Sequence, residues 1–268
     1  MSKATDSTER TLVTGGTGTL GRQVVPQLRA AGLDLRILSR SQREDEAGIE
    51  YVTGDLVADT GVAAALEDVR VVVHLAGGNK GDDVAAGHLA EAAARAGVQH
   101  LVFISVIGAD AVPVGWLRSQ HAAEDAIVAS GVPYTILRAA QFDDLVLTLV
   151  EKMSKLPVIP APGGLRFQPV DSGEVADRIV ELVLDRPAGR VADLAGPKVY
   201  SLRELIDGYL RARGKRRPKL PVRIPGKAGR AYRAGDNLNV TSAAHGRRTW
   251  EEFLSTRVGA ARSRTISS

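Results

Sequence analysis

The chain has 268 residues, with 35 Lys and Arg against 31 Asp and Glu, 44% hydrophobic and 4% aromatic residues, and no cysteine. This is the composition of a folded globular chain, not a disordered one, and it excludes disulfides, thiolate metal sites and a cysteine nucleophile. No uncharged apolar run reaches membrane-spanning length, and the opening MSKATDSTER lacks the apolar core of a secretory signal, so a cytoplasmic protein without a membrane partner is expected.

Thr11-Leu12-Val13 is an apolar run that ends in the glycine cluster Thr14-Gly15-Gly16-Thr17-Gly18-Thr19-Leu20-Gly21. Leu20, Val24, Val25, Leu28 and Ala31 then recur as one helix face, and Gly32 stops it. Pro26 lies inside this helix and predicts a kink or a late start, because proline has no N–H to donate. Leu33–Leu38 reads as a strand and completes a strand–turn–helix–strand unit. Ile49–Thr53 is a strand and Gly61–Asp68 a helix. Val69, Val71, Val72, Val73 and Leu75 suit a strand buried on both faces. Val84–Ala96 is a helix closed by Gly97, Leu101–Ser105 a buried strand, Gln120–Ser130 a helix closed by Gly131, and Tyr134–Leu137 a strand.

Beyond Arg138 the texture changes. Asp144–Met153 reads as a helix, Lys155–Gln168 as a proline- and glycine-rich loop, Ser172–Leu184 as an amphipathic helix and Ala192–Leu194 as a strand. Ser201–Arg211 reads as a helix with Ser201 and Glu204 in capping-box positions, and Trp250–Leu254 as a short last helix before a fraying tail. Strands alternating with helices predict an α/β fold. The expected architecture is a Rossmann-type doubly wound parallel sheet over residues 1–138. A smaller C-terminal substrate lobe follows, built mostly from 139–268, with segments returning to the core.

Gly16-Thr17-Gly18-Thr19-Leu20-Gly21 has the spacing G-x-G-x-x-G. After a strand, at the start of a helix and inside a βαβ unit, that spacing points to dinucleotide binding. Glycines permit the tight turn, the approach of backbone to pyrophosphate and close helix–strand packing, and the helix N-terminus offers free N–H groups. Gly15 to Gly21, with Thr17, Thr19 and Leu20 between the glycines, are therefore candidate cofactor residues. NAD binders carry a carboxylate about 20 residues further on for the ribose hydroxyls. Here the second strand ends in Ser39-Arg40, with no acid. Arg40 can pair with a 2′-phosphate and Ser39 can add a hydroxyl, so NADP(H) is expected over NAD(H); the alternative is that Arg40 is an ordinary solvated cation.

Further segments carry a pattern. They are Leu38-Ser39-Arg40, Gly54-Asp55-Leu56, His74-Leu75-Ala76-Gly77-Gly78, Leu101 to Ser105 with Gly108-Ala109, and Thr135 to Phe142. Val170-Asp171 to Val175-Ala176, Leu194 to Pro197 and Thr249 to Phe253 extend it. Together with the turn they resemble the atypical, extended-like short-chain dehydrogenase/reductases, and their NmrA-like branch in particular. The resemblance implies that Asp55, Leu56, Ala76, Gly77, Gly78, Ser105, Gln120 and Ala140 also meet the cofactor. It implies that Trp116, Gln141 and Phe142 line the substrate pocket.

Reductases of that family commonly carry Tyr-x-x-x-Lys, the tyrosine donating a proton and the lysine lowering its pKa. The matching stretch here is Trp116-Leu117-Arg118-Ser119-Gln120. An indole is no acid near neutral pH, and an amide has no charge to stabilise a phenolate. No tyrosine occurs between residues 52 and 133, so the dyad is missing even if the alignment slips, and no catalytic residue is assigned. His121 could donate a proton near neutral pH, but its helix pattern suits a packing histidine better, and His74 is read as packing at a strand end. His74, His88, His100, His121 and His245 have no metal-ligand spacing, so no metal is expected. Asp143 and Asp144 are neighbours that would not face each other on a helix.

From Arg211 to Arg233 ten basic residues occur with no acid, leaving 25 bases and 31 acids elsewhere. Pro218, Pro221 and Pro225 break any helix there, so a solvated loop is preferred to a nucleic-acid partner. The expected function is an NADPH-dependent oxidoreductase acting on a small-molecule electrophile, a quinone or conjugated carbonyl. The alternative is a non-catalytic NADP-binding redox sensor or regulator of the NmrA-like type; under either reading a homodimer or a partner protein is allowed for.

Overall fold

Short apolar runs ending in glycine become strands, and the 3.6-periodic stretches between them become helices. The computed structural model describes residues 10–78 and 80–266. Residues 1–9 of the N-terminal segment read above lie outside the described residues. In chain order the elements are β1 (Arg10–Thr14), α1 (Gly21–Ala30), β2 (Asp34–Ser39), β3 (Ile49–Thr53), α2 (Val62–Ala65), β4 (Val69–His74), α3 (Asp82–Ala96), β5 (His100–Val106), α4 (Gly115–Ala129) and β6 (Tyr134–Ala139). They continue with α5 (Asp143–Ser154), β7 (Ile159–Pro162), β8 (Arg166–Phe167), α6 (Ser172–Leu184), β9 (Gly189–Arg190), β10 (Leu194–Ala195), β11 (Tyr200–Ser201), α7 (Leu202–Ala212), β12 (Lys219–Val222), α8 (Gly226–Ala234), β13 (Ala244–His245) and α9 (Trp250–Ile266).

The chain divides into two units. The first holds residues up to Ser105, Ser119–Leu137 and Ala176–Val191; the second holds Val106–Arg118, Arg138–Val175 and the chain from Ala192. In the first, strands follow the order β6-β5-β4-β1-β2-β3, with β9 beside β6. The pairs β1–β2, β1–β4, β2–β3, β4–β5 and β6–β9 are all parallel. This is the Rossmann-type, doubly wound arrangement. Strand alternation sends Leu12, Leu38 and Val72 into a core with residues of α2, α3 and α4. Val72 and Val73, neighbours on β4, are both fully buried, so this strand is covered on both faces as its valines require.

Several boundaries differ from the expectation. The first helix starts at Gly21 without delay and runs through Pro26; only the bond to the Arg22 carbonyl is forfeited. The helix expected from Gln120 begins at Gly115, so Trp116 is helical. The segment expected as a loop, 155–168, contains β7 and β8, because β12 and β11 supply backbone partners from distant sequence. The basic run is neither one loop nor free of helix: it contributes β12, and α8 starts directly after Pro225, which serves as its N-cap. A proline just before a helix leaves the bonds inside it intact. The last helix extends from Trp250 to Ile266 instead of ending at Leu254.

The second unit has its own core, in which Trp250, Phe253, Leu205, Ile206, Val150 and Ile159 are buried. Trp250 donates its Nε1–H to the Leu205 carbonyl at 3.2 Å. The capping box at Ser201 and Glu204 is present. Ala139 pairs with Leu194, and Leu194 with Ala244, in parallel.

One buried acid in this unit was not foreseen. Asp143 is fully buried, and neither carboxyl oxygen has a hydrogen-bond partner among the described residues. Its neighbour Asp144 accepts from the Ser172 hydroxyl at 2.6 Å and pairs with Arg257 at 2.9 Å. Burial, then the charges of Asp171 and Asp144, push the Asp143 carboxyl up to about 7, against the pull of Arg248. A raised carboxylate pKa means that the folded state holds the proton more tightly than the unfolded one. Stability therefore falls as pH rises from near 4 to near 7, and levels off above. Asp143→Asn removes this titration. Its stability relative to wild type, from urea unfolding at pH 4 to 8, is expected to improve by roughly 4 kcal/mol across that window.

Candidate cofactor site

The turn after β1 is built from backbone. Gly15 has φ +71°, and a Cβ there would lie 2.5 Å from the Ala76 nitrogen. A Cβ on Gly21 would lie 2.2 Å from the Gly15 carbonyl oxygen. The Gly18 N–H donates to that same oxygen at 2.9 Å, closing the turn. No side chain caps the N-terminus of α1, and its first turn carries no acid. The N–H groups of Arg22 and Gln23 donate to the Gly18 and Leu20 carbonyls at 3.1 and 2.9 Å, so it is the N–H groups of the turn ahead of Arg22, with the positive end of the dipole, that are left for an anion. Arg22 leans back on the turn, its Nε donating to the Thr17 carbonyl at 2.8 Å. This donor set fits the pyrophosphate of a dinucleotide, which Gly16 to Gly21 would hold. A bound nicotinamide cofactor supplies the hydride chemistry.

Register gathers the other first-unit candidates. Thr14 sits opposite Leu38 and His74, and Ser39 opposite Thr53. The turn, Ser39-Arg40, Asp55-Leu56 and Ala76 to Gly78 therefore leave one edge of the sheet, at the carboxyl ends of the strands, where open α/β sheets bind ligands. Arg40 is exposed just past β2. Asp55 Oδ1 accepts from the N–H groups of Val57 and Ala58 at 2.8 and 3.2 Å, stabilising its own loop. Leu56 is buried, and its carbonyl lies 2.8 Å from His88 Nδ1. His74 packs as expected: it stacks on Phe103 at 5.2 Å between centroids and lies 2.6 Å from Thr14 Oγ1. Burial lowers its pKa to about 4, so the ring is neutral.

Two residues that sequence reasoning passed over, Glu124 and Asp82, are coupled to the candidates. The hydroxyl of Ser105, buried on β5, donates to buried Glu124. Glu124 Oε2 lies 3.7 Å from Nδ1 of half-exposed His121. Gln120, in the place of the family's lysine, donates from Nε2 to Asp82 at 2.6 Å, and Asp82 accepts from the Gly78 N–H at 2.8 Å. Ser119 donates to Asp83 at 2.7 Å. Glu124 lies four positions after Gln120 and so shares its helix face; that spacing was the available signal. Asp82 gave none beyond its place at the start of a helix.

The remaining candidates belong to the second unit. Trp116 packs against Val112, Leu117 and Ala231. Ala140 donates its N–H to the Leu194 carbonyl at 2.9 Å, and Phe142 bridges to Val170. Gln141 Oε1 is buried with no partner among the described residues. Among the described residues no cluster could hold a metal, and no helix is long and apolar enough to cross a membrane. The turn yields a sharp expectation. Gly21→Ala forces Cβ against the Gly15 carbonyl and is expected to weaken NADPH at least about tenfold by calorimetry. Gly32→Ala, where a Cβ meets nothing within 4 Å but φ is +85°, is expected to cost stability only, leaving affinity intact.

Residues 15–186 match the NAD(P)H-binding family. The chain is 30% identical over 211 residues to (4-alkanoyl-5-oxo-2,5-dihydrofuran-3-yl)methyl phosphate reductase of Streptomyces griseus, covering 76% of this chain and 74% of that protein. It is 27% identical over 212 residues to the photosystem II assembly factor Ycf39 of Trieres chinensis, covering 73% of this chain and 66% of that protein, just under two thirds of its length. Among solved structures, the NADPH complex of the NADPH-dependent quinone oxidoreductase QOR2 of Escherichia coli superposes with a TM-score of 0.79 at 19% identity, over 92% of this chain and 99% of that one. This last likeness is one of fold. With a match over more than half its length, the chain belongs to the NAD(P)H-binding family within the atypical short-chain dehydrogenase/reductase, NmrA-like superfamily.

Proposed function

We propose that this chain is an NAD(P)H-dependent oxidoreductase that prefers NADPH and reduces a small electrophile, a quinone or a conjugated carbonyl. The observation that carries the substrate class is the residue pair Trp116 and Gln120, with the Gln120 amide tied to Asp82. Where the family's acid and its tuning cation would stand, this chain offers neither. Hydride addition to a quinone leaves a hydroquinone anion that water protonates, whereas a plain ketone leaves an alkoxide that needs a positioned acid. The names of the relatives support the reading: one is a reductase of a 5-oxo-2,5-dihydrofuran phosphate, and another a quinone oxidoreductase. Trp116 would supply an aromatic surface for a flat substrate.

The missing dyad and the assembly-factor relatives also favour a second reading, a regulator that binds NADP without turnover. Steady-state NADPH oxidation with a quinone panel and one plain ketone separates the two. Turnover of a quinone but not of the ketone is expected; no turnover of either moves the assignment to the regulator. For an active quinone, Trp116→Phe is expected to keep most of kcat/KM, and Trp116→Ala to raise KM by an amount worth roughly 1–3 kcal/mol. The NADPH preference rests on Ser39-Arg40 in place of a carboxylate. Arg40→Ala is expected to cost about 1.5–3 kcal/mol of NADPH affinity and leave NADH binding unchanged. Equal wild-type affinities for the two cofactors would overturn the preference.

A further inference from the structure

The connection from β2 to β3 places no helix of its own against the sheet. Parallel strands are normally joined by crossovers of a dozen or more residues, usually helical. Here residues 40–48 make the connection without a helix. Register pairs Leu35 with Ile49 and Ile37 with Tyr51, and strand alternation puts all four on one face. On that face, within the first unit, α1, β2, β3 and their connection line an open cavity of about 610 Å³. Its size is that of a small-molecule site.

The cavity has an apolar floor and a basic rim. Val25, Ile37 and Ile49 are buried and form the floor. Arg22, Arg29 and Arg43 stand around it with a single acid, Glu46. Glu46 already accepts from the Tyr51 hydroxyl at 3.1 Å, and Arg22 is engaged by the Thr17 carbonyl. Arg43 lies 5.9 Å from the centre of the Tyr51 ring. Arg29 and Arg43 form no ion pair among the described residues. An apolar floor beneath two guanidinium groups without acidic partners complements a molecule with an apolar body and one acidic group.

We propose that this cavity is a binding site for an amphipathic organic anion. The apolar body lies against Val25, Ile37 and Ile49, and the acidic group lies between Arg29 and Arg43. The site borders the cofactor turn at Gly16 and Thr17, yet the anion binds alongside the dinucleotide and does not replace it.

The test titrates 8-anilinonaphthalene-1-sulfonate, read by fluorescence, into the full chain saturated with NADP+. N-phenyl-1-naphthylamine, which has the same rings without the sulfonate, serves as the neutral control. One saturable site is expected for the sulfonate, with the neutral probe at least about tenfold weaker. Arg29→Ala combined with Arg43→Ala is expected to weaken the sulfonate by a similar factor. Ala30→Trp, from an exposed position on α1 that lines the cavity, is expected to abolish binding by filling it. Circular dichroism and NADP+ affinity should stay at wild-type values in both variants, showing that fold and cofactor site are intact. Absence of a saturable site, equal affinity for the neutral probe, or unaltered binding in both variants overturns the proposal. So does displacement of the sulfonate as NADP+ rises, which would make the cavity a compartment of the cofactor site.

Discussion

The first unit depends on one close approach of backbone to backbone. The turn after β1 passes so near the chain leaving β4 that no side chain fits at Gly15, and α1 starts so near the same turn that none fits at Gly21. Both contacts bring peptide groups together where a side chain would hold them apart. With α1 seated this closely and its N-terminus uncapped, its dipole points at the edge where the strands end. What suits this turn to a phosphate is main-chain placement more than any particular side chain.

Polar side chains behind that edge are paired off with one another. His74 is neutral, stacked and beside Thr14; Ser105 is committed to Glu124, and Gln120 to Asp82. Buried polar groups satisfied in this way hold the strand ends in place without adding mobile charge, since an unpaired one would cost more than the bond contributes. The consequence for chemistry is a cofactor edge rich in fixed dipoles and lacking the tyrosine–lysine acid. Asp143, in the second unit, is a different case: a fully buried acid with no donor on either oxygen, whose proton is held by burial and by the charges of Asp171 and Asp144.

The glycine turn was readable because its requirement is local: only glycine tolerates those positions, so the need for backbone contact is written into residue type. The same holds for the valine run of β4 and the capping box at Ser201 and Glu204. The short strands β7, β8, β11 and β12 were not readable. Each is two to four residues long and exists only through a partner far away in sequence. The early start of α4 escaped notice because Gly115 and Trp116 carry no start signal of their own. The links from Ser105 to Glu124 and from Gln120 to Asp82 join residues 19 and 38 positions apart, and no local pattern encodes them.

By itself the sequence determined the α/β class, the dinucleotide turn, the absent tyrosine–lysine pair and the lack of a ribose-binding carboxylate after β2. Each of these is a statement about residue type at a position, and composition and spacing record residue type directly. The tertiary structure alone decided which strand ends share an edge, that Asp143 is buried beside other acids, and that the helix-free link from β2 to β3 leaves a cavity rimmed by arginines. Those outcomes depend on distances between segments remote in the chain. Packing and register set such distances, and no residue specifies them alone.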